Sequence, residues 1–227
     1  MQPAASRIHS LLSHPRYRVA EFVFLTVGIP LLLYFLIPPR HMIGTLWLSA
    51  LYCLWVHRTL HPRPEAGWWD WQAVRWPLFK PMLLRFAVCA ALLTCFTLAI
   101  QPERFLGFVS EKPYIWAMVM LLYPVFSVLP QEFIFRTFFF ERYAVLFPTQ
   151  RAMIMASGLT FGFAHIAFHN WVAPLLCLVG GVIFSATYAK RKSLALVSVE
   201  HALYGCFLFT IGLGWYFYHG GTTAMAH

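Results

Sequence analysis

Seven apolar stretches, each near the length needed to cross a bilayer, restrict this chain to few folds. They are Ala20 to Ile37, Met42 to His57, Pro81 to Ile100, Pro113 to about Phe140, Ala152 to Phe168, Trp171 to Ala189 and Leu194 to Phe217. A spanning helix needs about 20 apolar residues, with a range near 17–25. Hydrophobic residues make up 60% of the chain and charged ones 11%, against roughly 45–50% and 25% in a soluble domain. The reading is an all-α, polytopic transmembrane helical bundle of about seven spans, and 227 residues suit one bundle. Pro38-Pro39 closes the first span, since proline cannot continue a helix. Arg58 to Lys80, rich in Pro and in Trp (Trp68, Trp69, Trp71, Trp76), reads as an interfacial segment. No cleavable signal peptide is expected: the first 19 residues are polar and basic, and the next run has no small-residue cleavage site.

The formal charge of +9 suggests nucleic acid until its distribution is read. With a cytoplasmic N-terminus, 12 Lys and Arg fall in cytoplasmic segments: Arg7, Arg16, Arg18, Arg58, Arg63, Arg75, Lys80, Arg142, Arg151, Lys190, Arg191 and Lys192. Only 3 fall outside, namely Arg40, Arg104 and Lys112, while Arg85 and Arg136 lie within spans. This excess is a topology signal. It is a field at the cytoplasmic surface and not a nucleic-acid footprint. The five cysteines are odd in number, lie in apolar stretches and show no metal spacing, so they read as packing residues.

Ionisable residues at membrane depth are costly and need a partner, a wet cavity or a task. Three clusters stand out. In Pro130-Gln131-Glu132-Phe133-Ile134-Phe135-Arg136, the acid and the base are four apart and share a helix face. That spacing serves a structural ion pair as readily as a catalytic site. Pro130 suits a first helical turn, so the fourth span is expected to restart there, with Glu132 near a helix N-terminus. The second cluster is Phe161-Gly162-Phe163-Ala164-His165, with His169 one turn on. Gly158 and Gly162 form a GxxxG that admits a close neighbouring helix. The third is Glu200-His201 with Tyr204 and Gly205, and Arg85 is expected to snorkel from its helix end. A core histidine satisfied by a carbonyl is the structural alternative for His165, and more strongly for His169.

A buried Glu with two His can activate water and return the proton to a leaving amine. A second His can donate to the oxyanion. The same groups could instead ligate one Zn²⁺ through Glu132, His165 and His201. Arg136 would hold the carboxylate ionised.

These motifs resemble those of the CAAX-protease and bacteriocin-processing (CPBP, or Abi) family of intramembrane endopeptidases. Its pattern is Glu-Glu-xxx-Arg, then Phe-xxx-His, then His-xxx-Asn, matched here at 131–136, 161–165 and 201–205. The resemblance implies a helical membrane bundle with a cytoplasm-accessible polar cavity and a glutamate-activated water. Two positions depart: the family's first Glu is Gln131, and the Asn of its last motif is Gly205. Three readings follow. Glu132 takes over as base or orienting carboxylate, Glu200 supplies the carboxylate, or the protein is a catalytically silent relative.

The expected organisation is residues 1–112 as N-terminal helices with the Trp-rich linker, 113–217 as a CPBP-like catalytic core and 218–227 as a tail. The leading reading is an intramembrane endopeptidase in a bacterial inner membrane, with no nucleic-acid partner, acting near the cytoplasmic side on a membrane-associated peptide or protein. Its site residues are Glu132, His165, His201, Arg136, Gln131 and Glu200, with no cofactor or one zinc. The alternative is a silent membrane scaffold or immunity protein. A transporter is disfavoured because paired half-helices do not recur in the two halves of the chain.

Overall fold

The structure, a computed structural model, describes residues 4–61 and 68–217. Arg63 and the tail 218–227 lie outside the described residues. All seven apolar stretches are helical, and among the described residues there is no strand. After a short α1 (Ala4–Ser13) come α2 (Pro15–Phe35), α3 (Met42–Leu60), α4 (Trp76–Ile100), α5 (Pro113–Arg142), α6 (Gln150–Phe168), α7 (Val172–Arg191) and α8 (Leu194–Thr210). Five are long and apolar enough to cross a membrane: α2, α4 from Phe79, α5, α6 and α7. Helix α8 is apolar but shorter, at 17 residues, and α3 carries His57 and Arg58 in its last turn.

The tightest packing is between α6 and α7, where the GxxxG acts as expected. A Cβ at Gly162 would come within 2.9 Å of the Leu178 Cα, and one at Gly158 within 3.0 Å of the Val182 nitrogen. Gly181 of α7 meets Gly158 in return. Small residues let two backbones touch, and dispersion contacts then hold helices that lipid gives no hydrophobic reason to associate.

One end of the bundle gathers the basic segments. Arg142 Nη2 donates to the Leu12 carbonyl (2.7 Å), and its Nε donates to Glu21 (2.6 Å). His57 meets Glu141 at 2.9 Å, and Ser193 Oγ donates to the Asp70 carbonyl (2.8 Å). The opposite end is tied by Gln101 to Tyr216 and by Asn170 Nδ2 to the Tyr216 carbonyl. The interfacial segment is only partly on the surface. Trp69 and Trp71 are exposed, but Trp68 packs on Phe133, with ring centroids 5.1 Å apart.

The fourth span does not restart at Pro130. Helix α5 runs through it by way of two π-turns, Pro124–Val128 and Phe133–Phe138. The Leu129 amide reaches back to the Pro124 carbonyl, so the wider turn absorbs the prolines and the chain stays helical. Glu132 therefore sits inside a continuous helix and gains nothing from a helix N-terminus.

Candidate active site

Glu132 and Arg136 are both fully buried. Glu132 lies between the two π-turns and faces α8, where its Oε1 accepts from His201 Nδ1 at 2.7 Å. Its Oε2 lies 3.2 Å from Arg136 Nε, a charge contact without hydrogen-bond alignment. Arg136 in turn donates through Nη2 to the Gly181 carbonyl (3.2 Å). Its guanidinium lies 4.4 Å from the Phe161 ring centroid and 5.5 Å from that of Phe184. Phe184 also stacks on His201, at 4.8 Å and 21°. Carboxylate, guanidinium and imidazole are thus held in one aromatic box. The pair proposed from sequence exists, and its carboxylate has a third member in His201.

A carboxylate only accepts, so His201 Nδ1 carries the hydrogen, and in the neutral ring Nε2 bears the lone pair. That Nε2 faces the Tyr123 hydroxyl at 3.1 Å. Tyr123 was missed from sequence; it lies on the same span as Glu132, about two turns earlier. Gly205 explains its place. A Cβ at 205 would collide with the Tyr123 hydroxyl and ring, so the phenol occupies the space into which a side chain at 205 would project.

Gln131 and His165 line the cavity, whereas Glu132 does not. Gln131 Nε2 donates to Ser127 Oγ (2.8 Å), and its Oε1 is buried with no partner among the described residues. His165 ends α6, where the helix tightens, and its Nδ1 meets the Phe161 carbonyl at 2.7 Å. A carbonyl cannot donate, so the neutral His165 also keeps its lone pair on Nε2. His169 is not on the same face: its backbone is left-handed (φ 55°), and its ring stacks on Tyr34 at 4.3 Å.

Glu200 turns away from this group. It pairs with Arg85, which also donates to Thr187 Oγ1 (2.8 Å). Arg85 does not snorkel to an interface; it reaches inward to join α4, α7 and α8. Neighbouring positions on a helix point about 100° apart, and here that separates Glu200 from the site His201 occupies.

The cavity measures about 860 Å³. Its wall is mostly apolar, with Tyr123, Gln131, His165 and His201 on it and Arg40, Thr45, Ser49 and Ser127 as further polar lining, so the polar cavity implied by the family likeness is polar only in part. Glu132, His165 and His201 do not fit together as a zinc set. Both Glu132 oxygens are engaged by His201 and Arg136. Among the described residues, the trio with donor atoms within 4.8 Å of one another is His57, His61 and Glu141, at the basic end.

A helical membrane bundle with a carboxylate, an imidazole and an arginine enclosed beside an apolar cavity belongs to the class of polytopic proteins with an intramembrane polar site. Residues 113–207 match the family model described as type II CAAX prenyl endopeptidase Rce1-like. The match spans all three motifs and bears out the resemblance read from them. No curated protein and no solved structure matches the chain.

Proposed function

We propose that the chain is an intramembrane endopeptidase in which His201, oriented by Glu132, is the general base. The observation that carries this is the line Arg136–Glu132–His201–Tyr123, which leaves one imidazole lone pair at the cavity wall. In this reading Glu132 orients the ring and stabilises the imidazolium, as the acid does in other acid–histidine pairs. Arg136 stands beside that carboxylate as its counter-charge.

A water in the cavity attacks the peptide carbonyl and gives its proton to His201 Nε2. That lone pair is free to take it because the Tyr123 hydroxyl, with substrate bound, turns from Nε2 to the carbonyl oxygen and donates to the developing oxyanion. His201 then passes the proton to the leaving nitrogen as the C–N bond breaks, yielding a carboxylic acid and an amine. Gln131 is an amide and cannot take a proton, but its unpartnered Oε1 can accept a hydrogen bond from the water. His165 Nε2 is a second acceptor on the same wall. Tyr123 thereby compensates for Gly205, and Glu132 with His201 compensates for Gln131. A zinc ion would supply Lewis-acid activation, but the donor geometry favours the metal-free route. The membrane is taken to be a bacterial inner membrane.

Co-expression with single-pass membrane reporters tests this. His201→Ala is expected to abolish processing while the protein still accumulates in the membrane. Undiminished processing by that variant would remove the base. The second reading, a silent scaffold or immunity protein, draws on Gln131 and Gly205, and it predicts that a wild-type chain leaves every reporter intact.

A further inference from the structure

We infer that substrate enters from the face opposite the basic one, as the apolar membrane-spanning segment of an exported protein that is cut in the non-cytoplasmic half of the bilayer. This rests on the hydrolase reading and departs from the cytoplasmic access implied by the family likeness. Three observations carry it.

The first is where the cavity lies along each helix. Its wall takes residues 25–33 of α2, 42–49 of α3, 115–135 of α5, 161–168 of α6 and 176–184 of α7. Helices α2, α4 and α6 run away from the basic end, and α3, α5 and α7 run toward it. In every case the lining stretch is the half away from that end, or the middle. Arg40, in the connection between α2 and α3, and Phe217, beyond α8, also line it.

The second is that the other end is closed. Between the cavity and the basic surface lie Phe138, Phe139, Phe140, Tyr143 and Tyr188, all buried in one aromatic core. Interiors of this kind are close-packed, and a peptide cannot pass without unpacking them. Phe135, the cavity-lining residue of α5 nearest that end, lies about 10 Å along the helix from Arg142, so the barrier is some two turns thick.

The third is the rim. Leu92, Leu122 and Val179 line the cavity yet are exposed well inside their helices, and Met118 is exposed nearer the start of α5. In a membrane those positions face hydrocarbon, so the mouth opens sideways into lipid as well as outward past Arg40. An apolar peptide already resident in the bilayer can slide in without dehydrating its backbone twice, whereas a segment held in the basic-side leaflet meets the aromatic core. The 12 to 3 division of Lys and Arg sets which face is cytoplasmic.

Ser49→Cys, on the cavity wall, and Lys190→Cys, at the basic end, would be treated with a membrane-impermeant maleimide in intact spheroplasts and in inverted vesicles. Peptide mass spectrometry reads each site, so the native cysteines stay in place. The expected result is that Ser49→Cys labels in spheroplasts and loses labelling in inverted vesicles, with the reverse for Lys190→Cys. Reaction of Ser49→Cys only in inverted vesicles, from neither face, or together with outside labelling of Lys190→Cys, overturns the proposal. Two reporters then carry a helix-breaking Gly-Ser pair in the outer or the inner half of one apolar span. Cleavage of the outer reporter alone is expected, lost in His201→Ala; cleavage of the inner one alone overturns the entry side. If neither is cleaved while labelling runs as expected, the side of entry stands and the hydrolase reading fails.

Discussion

Tyr123 and Gly205 form a lock whose two halves can be exchanged. The Tyr123 hydroxyl fills the space beside Gly205 and makes one hydrogen bond, 3.1 Å, to His201. Tyr123→Phe keeps the ring on Phe209 and His201, so stability should fall by only about 1 kcal/mol, the net worth of a buried hydrogen bond. Turnover should fall far more, about 10²–10³-fold, if the phenol is the oxyanion donor. Gly205→Asn alone drives an amide into the Tyr123 ring and should cost about 1–3 kcal/mol as overpacking. Tyr123→Ala alone leaves a void worth about 3–5 kcal/mol. Combined, Asn fills the void and the costs cancel in part, with a coupling of about 0.5–3 kcal/mol. The double variant should also regain turnover over Tyr123→Ala. The assays are thermal unfolding of the purified protein in detergent and cleavage of the outer-half reporter. Full turnover by Tyr123→Phe, or strictly additive stability losses, would refute the reasoning.

Glu200→Gln should lower the unfolding temperature by stranding Arg85, yet leave turnover per folded molecule unchanged; loss of turnover at unchanged stability would return Glu200 to the site. Gly162→Val places side-chain atoms against the Leu178 backbone and should destabilise by about 1–3 kcal/mol or more, as thermal unfolding would record; an unaltered transition would mean the α6–α7 contact is looser than described. Chelation with EDTA should leave turnover intact. Activity lost on chelation and restored by Zn²⁺ would give Glu132, His165 and His201 back their role as ligands.

The helical class and the twelve-to-three charge division were legible because both follow from local composition. The pairing of Glu132 with Arg136 was legible for the same reason, as a four-residue spacing. What Glu132 does with its other oxygen was not. It depends on where α5 places residue 132 against α8, in a short α-helical stretch between π-turns at Pro124–Val128 and Phe133–Phe138 whose hydrogen bonds leave no pattern in the side chains. Glu200 misled in a complementary way: adjacency to His201 suggested shared work, but its partner Arg85 is 115 positions away. Tyr123 was invisible because a lone tyrosine in an apolar span carries no signal until the glycine beneath it is placed.

Those π-turns also bear on how such a site can change over generations. Each wide turn accommodates one residue more than an α-turn, and one residue is worth about 100° of rotation for everything downstream. Loss of a single codon in the Pro124–Val128 turn would thus relax it to an α-turn with Gln131, Glu132 and Arg136 keeping their facing, whereas the same loss in a regular turn of α5 would swing all three. The wide turns are the places where this helix can take up or shed a residue without moving its chemistry.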